Sequence, residues 1–170
     1  MQNNLKVLPF VPKFVEHKIA SSETGAITAV MFEYLMAGNG LFIRAKRKEF
    51  SVCLPVCREP IKGLPEIIGG IVWHKPRIPS HLWREILENA RIGSDSIQFR
   101  EDVYIVFWHE ASGQWCWKNI GKERQWARTI ADDSLSEYGE ACIELHTHPD
   151  GVIHFSSADD RDESGKFRIF

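Results

Sequence analysis

The chain lacks the features of several large classes of protein. Its 170 residues carry 21 Lys and Arg against 23 Asp and Glu, so there is no excess of positive charge to hold a phosphate backbone. No apolar run approaches the ~20 residues that a membrane-spanning helix needs. The first residues, Met1-Gln-Asn-Asn, lack the charged and apolar regions of a secretory signal peptide. These absences argue against nucleic-acid and membrane binding, and they predict a cytoplasmic protein.

Cysteine is also scarce, and its spacing excludes a closed zinc motif. Only Cys53 and Cys57 of the four cysteines lie close together, and there is no second close pair to complete a four-ligand site. We therefore expect reduced cysteines that pack as small apolar residues. A zinc deaminase is disfavoured as well, because it needs a Cys-x-x-Cys pair that the chain does not contain.

The length and composition predict one folded domain with a small addition. Hydrophobic residues make up 44% and charged residues 26% of the chain, which is typical of globular proteins. Asn39-Gly40 lies between two apolar runs, and this is the strongest short-range signal for a β-hairpin. Strands are predicted over residues 32–36, 41–45 and 50–56, with a weak strand over 67–73. We expect residues 1–75 to be an N-terminal β-hairpin addition packed on a core of residues 76–170.

The core is predicted to contain one clear helix and several strands. Apolar residues recur at helical spacing over residues 76–93, with Ser80 suited to cap the start and Gly93 the end. Residues 103–108, which are apolar and β-rich, predict a buried strand. Further strands are predicted over 114–120 and 141–147, and residues 121–140 read as a polar loop with a helical turn. The predicted fold class is mixed α/β, with a β-sheet flanked by a few helices.

A short segment near the end of the chain carries the strongest chemical pattern. Alternate residues of a strand point to the same side, so His146 and His148 share a face and lie roughly 7 Å apart. Ser156 and Asp159 follow after a short loop, and Ser156 is also suited to cap a helix. Two imidazoles and one carboxylate form the donor set of a catalytic zinc site, which keeps a fourth position open. A lone His-x-His is more often two solvated or packed histidines. The spacing of all four residues, from His146 to Asp159, therefore decides whether a metal site is predicted.

The whole string resembles the signature of the JAMM, or MPN-plus, zinc metalloproteases. That motif is His-(Ser/Thr)-His, seven residues, Ser, two residues and Asp, and it matches His146, His148, Ser156 and Asp159, with Pro149 also in its usual place. The resemblance implies a sheet related in layout to that of cytidine deaminases. It also implies that His146, His148 and Asp159 bind Zn²⁺, and that Ser156 donates to the oxyanion of the tetrahedral intermediate.

The family also uses a glutamate that accepts a proton from the attacking water. It lies at the start of the strand that follows the first long helix, which here points to Glu101. Glu66 is the rival, because it precedes an Ile-Ile-Gly-Gly that is similar to the family's Glu-x-x-Gly, but it lies before the helix and requires a different topology. Glu144 alternates onto the face of the histidines, where it either supports an imidazole or is a solvated strand carboxylate.

Other segments are similar to a bacterial branch of the family, typified by the PRTRC-system A proteins. They read AGNGLFIRAKR, PRIPSHLWREILENAR and FSSADDRDESGKFRIF. The resemblance implies a zinc-dependent isopeptidase or peptidase that cleaves amide bonds at the C-terminal tail of a ubiquitin-like or sulfur-carrier protein, in the company of an E1-like ThiF protein. JAMM domains usually continue with further strands, so a chain that ends at Phe170 is either a C-terminally truncated core or one whose sheet closes differently. The alternative is a non-catalytic MPN-like scaffold for protein assembly, and the oligomeric state stays open.

Overall fold

A computed structural model describes residues 13–22, 24–92, 101–125, 128–148, 161, 163 and 165–170. Within these ranges the chain is a sheet-rich mixed α/β protein, which confirms the predicted class, with three β-sheets and two helices. The chain divides into two compact units, Met1–Pro76 and Arg77–Phe170. Among the described helices, none combines the length and the apolar character needed to cross a bilayer.

The first unit is built on one five-stranded sheet. Its strands, which follow one another in the sheet in chain order, are β1 (Val15–Ile19), β2 (Phe32–Ala37), β3 (Gly40–Lys46), β4 (Phe50–Cys57) and β5 (Gly70–Trp73). The β1–β2 pair is parallel and the other pairs are antiparallel. The predicted Asn39-Gly40 hairpin is confirmed, since Ala37 pairs with Gly40, whose φ of 136° favours glycine.

Strand β1 was not predicted, and it extends the predicted hairpins to a larger sheet. Polar and charged residues make up three of its five positions, so the segment has no clear apolar alternation. It becomes a strand by pairing with β2, where Val15 lies beside Phe32 and Ile19 beside Met36. The core of this unit is a cluster of buried apolar residues, namely Ala20, Leu35, Ala37 and Phe42.

The second unit is built on a three-stranded antiparallel sheet. Its elements are α1 (Ser80–Ile92), β6 (Val103–His109), β7 (Gln114–Asn119), β8 (Gly121–Gln125), β9 (Arg128–Ala131), α2 (Ser136–Glu140) and β10 (Ile143–His146). The strand order is β10-β6-β7, with β6 buried in the centre. The strands predicted over residues 103–108 and 114–120 are confirmed as β6 and β7, which pair as a hairpin, and the rings of the paired Trp108 and Trp115 meet edge to face at 5.5 Å.

The prediction of a loop over residues 121–140 was wrong except for its helical turn. Strands β8 and β9 pair as a separate antiparallel hairpin, and the helical turn is α2. The sequence of the hairpin is polar, so it lacks the alternation of apolar and polar residues that predicts a strand. Its two ends are nevertheless tied to the core, because Asp132 N–H donates to the Ile120 carbonyl and Ala131 packs against the buried cluster that contains Ile120.

The three-stranded sheet has two different faces. On one face, which we call the α1 face, the Tyr104 hydroxyl donates to Asn89 and the Trp117 indole donates to Glu85, both residues of α1. The opposite face, called the α2 face, carries Val103, Ile105 and Phe107 of β6, which pack with Leu135 and Tyr138 of the α2 segment. Burying each of these β6 side chains contributes about 1.5–3 kcal/mol, so this face is the apolar core of the unit.

Candidate metal site

The pairing of β6 with β10 brings the candidate residues together. Glu144 lies opposite Ile105, and His146 lies opposite Val103, so both side chains are on the α2 face. The next pair is also bonded, since Thr147 N–H donates to the Asp102 carbonyl at 2.9 Å. The next residues along the two strands are Glu101 and His148. If the register continues by one residue they are directly opposite each other, at the Cβ separation of about 4.5–5.5 Å that is usual for such an antiparallel pair.

Hydrogen bonds hold the backbone on both sides of this pair. The Asp102 N–H donates to the Thr147 hydroxyl at 2.8 Å, so the threonine between the two histidines fastens β10 to the start of β6. The Thr129 hydroxyl of β9 donates to the main-chain carbonyl of Glu101. These hydrogen bonds hold the backbone of Glu101 in place. The residue is half-buried, so its side chain keeps access to solvent.

Glu144 is the buried polar residue of this face, at 1% exposure. Its Oε1 lies 3.2 Å from Nε2 of His146 and accepts from Nζ of Lys166 at 3.3 Å. Its Oε2 accepts from an Arg168 guanidinium N–H at 2.7 Å. The structure thus favours the first of the two readings of this residue, a carboxylate that supports an imidazole, over a solvated strand position.

The charge on Glu144 is compensated within the fold. Burial by itself tends to raise the pKa of this carboxyl group. The hydrogen bond with His146 and the positive charges of Lys166 and Arg168 outweigh burial and hold the pKa below its ordinary value of 4.5. Glu144 is therefore an ionised acceptor at neutral pH, which is the form that receives a ring N–H.

A cavity of about 330 Å³ adjoins the two residues on the α2 face. Glu144, His146 and Val103 form its floor, and β9, Tyr138, Arg161 and Lys166 supply the rest of its lining, together with Asp133. Among the described lining residues of the cavity, Asp133 and Glu144 are acidic and Arg161 and Lys166 are basic. Its volume is in the lower range of small-molecule sites.

The remaining predicted residues fall in three places. His146 is the last residue of β10 and His148 lies two residues beyond it, and both are half-buried. Glu66 is exposed and belongs to the first unit, in the segment between β4 and β5. Ser156 and Asp159 lie outside the described residues, as do Gly93 and the predicted turn at residues 149–151.

The residues that are described fit zinc in their chemistry. A metal-ligating histidine usually donates its other ring N–H to a carboxylate, and the His146–Glu144 pair has this form. Within the described ranges, no three His, Cys, Asp or Glu side chains gather into a metal site. The third ligand that the motif implies, Asp159, is not among those residues.

Sequence reasoning missed the residues that support the site. Thr147 was read only as part of the motif, yet it makes the hydrogen bonds that fasten the two strands. Lys166 and Arg168 carried no signal, because they reach Glu144 from a segment more than 20 residues away. In the sequence they are visible only as two positive charges that follow an acidic stretch, and this does not link them to Glu144.

Comparisons of the chain with protein-family models, with curated proteins and with solved structures gave no significant match. The assignment of a chemistry to this site therefore depends on the spacing of the motif and on the geometry of β6 and β10. The geometry contributes a shared face of the sheet for Glu144 and His146, and a buried carboxylate beside the first histidine.

Proposed function

We propose that the chain is a cytoplasmic zinc-dependent hydrolase of JAMM type and fold. It cleaves an amide or isopeptide bond at the C-terminal tail of a ubiquitin-like or sulfur-carrier protein, with an E1-like ThiF protein as a candidate partner. The single observation that carries the proposal is the register of β6 and β10, in which Val103 pairs with His146 and Asp102 is bonded to Thr147. Continued by one residue, this register would put Glu101 opposite His148, on the face that His146 shares. Without that register, the His-Thr-His string would be two half-buried histidines at the end of a strand.

In this proposal His146, His148 and Asp159 hold Zn²⁺. When bound, the ion supplies Lewis acidity, which polarises the scissile carbonyl and acidifies the attacking water. Glu101 accepts the proton of that water and delivers it to the leaving amine. Ser156 donates a hydrogen bond to the negative charge that develops on the carbonyl oxygen. The fixed backbone of Glu101, held by Thr129, suits a base that must meet the same proton in each cycle.

Zinc content tests the metal part of the proposal. The full chain, purified without chelators and equilibrated with zinc, is expected to hold about one zinc ion, since three protein ligands make one open site. Asp159→Ala and His146→Ala should each release the metal, as measured by elemental analysis after gel filtration. His17→Ala, an exposed histidine of β1, is the control and should keep it. Full retention of zinc by Asp159→Ala would show that the ligand set is wrong.

Glu101→Gln tests the assignment of the base. It should keep the zinc and lower hydrolysis by roughly 10²–10⁴-fold, because a general base contributes about that factor. Fusions of candidate ubiquitin-like proteins to a reporter serve as substrates, with o-phenanthroline as the control for metal dependence. Glu66→Gln should leave both the metal and the rate unchanged. An inactive Glu66→Gln beside an active Glu101→Gln would reverse the assignment, and a zinc-free chain without hydrolysis would favour the scaffold.

A further inference from the structure

One edge of the five-stranded sheet of the first unit carries an apolar groove beside an exposed apolar side chain. Strand β4 continues to Cys57, whereas β5 pairs only with the residues of β4 up to Cys53, so the end of β4 extends beyond β5. A groove of about 450 Å³ lies at this place, and its lining includes Leu54, Pro55 and Ile67. Ile68 borders the groove and is 97% exposed, more than any other large apolar residue that the structure describes.

The backbone on both sides of Ile68 holds it in this exposed position. Asn39, in the turn between β2 and β3, binds Ile67 twice: its Nδ2 donates to the Ile67 carbonyl at 2.8 Å, and its Oδ1 accepts from the Ile67 N–H at 3.2 Å. On the other side, Gly69 lies so close to β4 that a Cβ at this position would be 2.7 Å from the Cys53 carbonyl oxygen. Ile68 is thus a fixed apolar knob, and little conformational entropy is lost when a partner covers it.

We propose that the groove and Ile68 form the interface between two copies of the chain. In a two-fold dimer both copies use the same patch, which must therefore be complementary to itself. A patch that contains a knob and a groove meets this condition, because Ile68 of each copy enters the groove of the other. The groove has room for the side chain, since a cavity of about 150 Å³ is enough to hold benzene. This inference does not depend on the proposed hydrolase activity.

The charges at this edge of the sheet favour a second copy as the occupant. Residues 67–73 contain no charged residue, so two identical segments meet without repulsion between like charges. Arg58 is the one charged residue among the described residues of the groove, and its neighbour Glu59 is also exposed. Two copies therefore bring equal numbers of positive and negative charges to the contact. Strand β1, at the opposite edge of the sheet, instead carries Glu16 and Lys18, and such charges protect an edge from pairing.

An extended peptide that adds a strand to the sheet is disfavoured as the occupant. Such a peptide binds through main-chain hydrogen bonds to the edge strand. Pro55 lies within the part of β4 that extends beyond β5, and it has no N–H to donate. The groove is therefore better suited to receive a side chain than a strand.

The first test is the oligomeric state of the unmodified full chain. Sedimentation velocity is measured from about 10 µM to 1 mM in a reducing buffer. The buffer prevents the exposed Cys57 from linking two copies. We expect a reversible monomer–dimer equilibrium with a dissociation constant in the micromolar range, because a knob and a groove from each copy make a small interface. A chain that is monomeric throughout this range would overturn the proposal and leave the groove to a partner of another kind.

Two aspartate variants test the contact itself. Ile68→Asp removes the knob and Leu54→Asp places a charge in the groove, and each should weaken the dimer by about 100-fold or more, because both copies lose the contact. Both residues are exposed, so the fold should persist, which circular dichroism checks. Ile19→Asp, at an exposed isoleucine of β1, is the matched control and should leave the equilibrium unchanged. A dimer that survives Ile68→Asp, or that Ile19→Asp weakens as much, would overturn the proposal.

A mixture of the two variants separates this two-fold contact from a general apolar attraction. Ile68→Asp keeps an intact groove and Leu54→Asp keeps an intact knob. A mixed dimer therefore has one complete contact, whereas neither variant forms one with itself. We expect the equimolar mixture to contain more dimer than either variant at the same total concentration. No gain on mixing would show that Ile68 does not enter the groove of the other copy, and would overturn the assignment of the interface.

Discussion

Each unit of the molecule has a buried strand glutamate among the residues whose burial the structure describes, and these two glutamates have different partners. Glu33 of the first unit is 0% exposed and Glu144 of the second is 1% exposed. Oε1 of Glu33 accepts from Nζ of Lys18 and from the backbone N–H groups of Thr28 and Ala29, so it anchors the loop before β2. Glu144 accepts from two cations and faces an imidazole that borders a cavity.

The difference shows that burial alone does not mark a functional residue. Burial disfavours the charged form of both carboxylates, and in both cases hydrogen bonds and positive charges lower the pKa below 4.5 in spite of burial. What separates them is the nature of the partner. Backbone N–H groups gain nothing beyond a satisfied hydrogen bond, whereas an imidazole gains a defined tautomer and orientation. We therefore expect substitutions in the first unit to change stability and those in the second to change chemistry.

Ser156→Ala is expected to give the larger effect and to separate activity from folding in the second unit. A donor that acts only in the transition state lowers kcat and kcat/KM together, here by roughly 10²–10³-fold. Zinc content and melting temperature should stay near those of the unmodified chain, as measured by elemental analysis and calorimetry.

Ser157→Ala is the matched control for Ser156→Ala and should turn over normally. If Ser157→Ala is the slow variant instead, the motif has been aligned one residue away from its true position. The assignment of Asp159 as a metal ligand must then be changed as well. If Ser156→Ala only lowers the melting temperature, its role is that of a helix cap, worth about 0.5–2 kcal/mol.

Glu33→Gln is expected to act in the opposite way, on folding rather than on chemistry. Removal of its charge leaves Lys18 and the N–H groups of the loop poorly paired, at a cost of about 2–3 kcal/mol in the first unit. Hydrogen exchange followed by mass spectrometry should show faster exchange in residues 13–76, with hydrolysis per folded molecule unchanged. Glu66→Gln, an exposed glutamate of the same unit, should stay within about 0.5 kcal/mol.

The pH dependence of the stability of the first unit is the smallest expected effect. It tests the structural role of Glu33 in the comparison with Glu144. Glu33 is faced by Lys18 of β1 and Arg44 of β3, and Lys18 is also paired with Glu16 of β1. Its pKa in the folded state lies below 4.5, so its contribution to stability is fully present above pH 4.5 and is lost as pH falls through the folded value. In urea unfolding, the difference between the unmodified chain and Glu33→Gln should therefore narrow below pH 4.5. A constant difference down to pH 3 would contradict this assignment.

Several elements of this structure could be predicted from the residues within them. The Asn39-Gly40 turn, the helix α1 and the apolar strand β6 each carry a signal within their own residues, and each forms where predicted. Strand β1 and the β8–β9 hairpin do not, because both are polar and gain their pairing from other parts of the chain. The alternation of His146 and His148 was predictable in the same local way, since it follows from the period of a strand.

What the sequence alone determined is therefore the donor types and their spacing along one strand, because side-chain alternation is a property of the backbone. The pairing of β10 with β6 was decided by the tertiary structure, through the register that sets Val103 against His146 and, one bonded pair on, Asp102 against Thr147. The proposed role of Glu101 depends on this register. The tertiary structure also decided the surroundings of Glu144, whose cationic partners come from residues 166 and 168. Contacts between residues far apart in the chain depend on how strands pair and segments return, and no local period of the sequence encodes them.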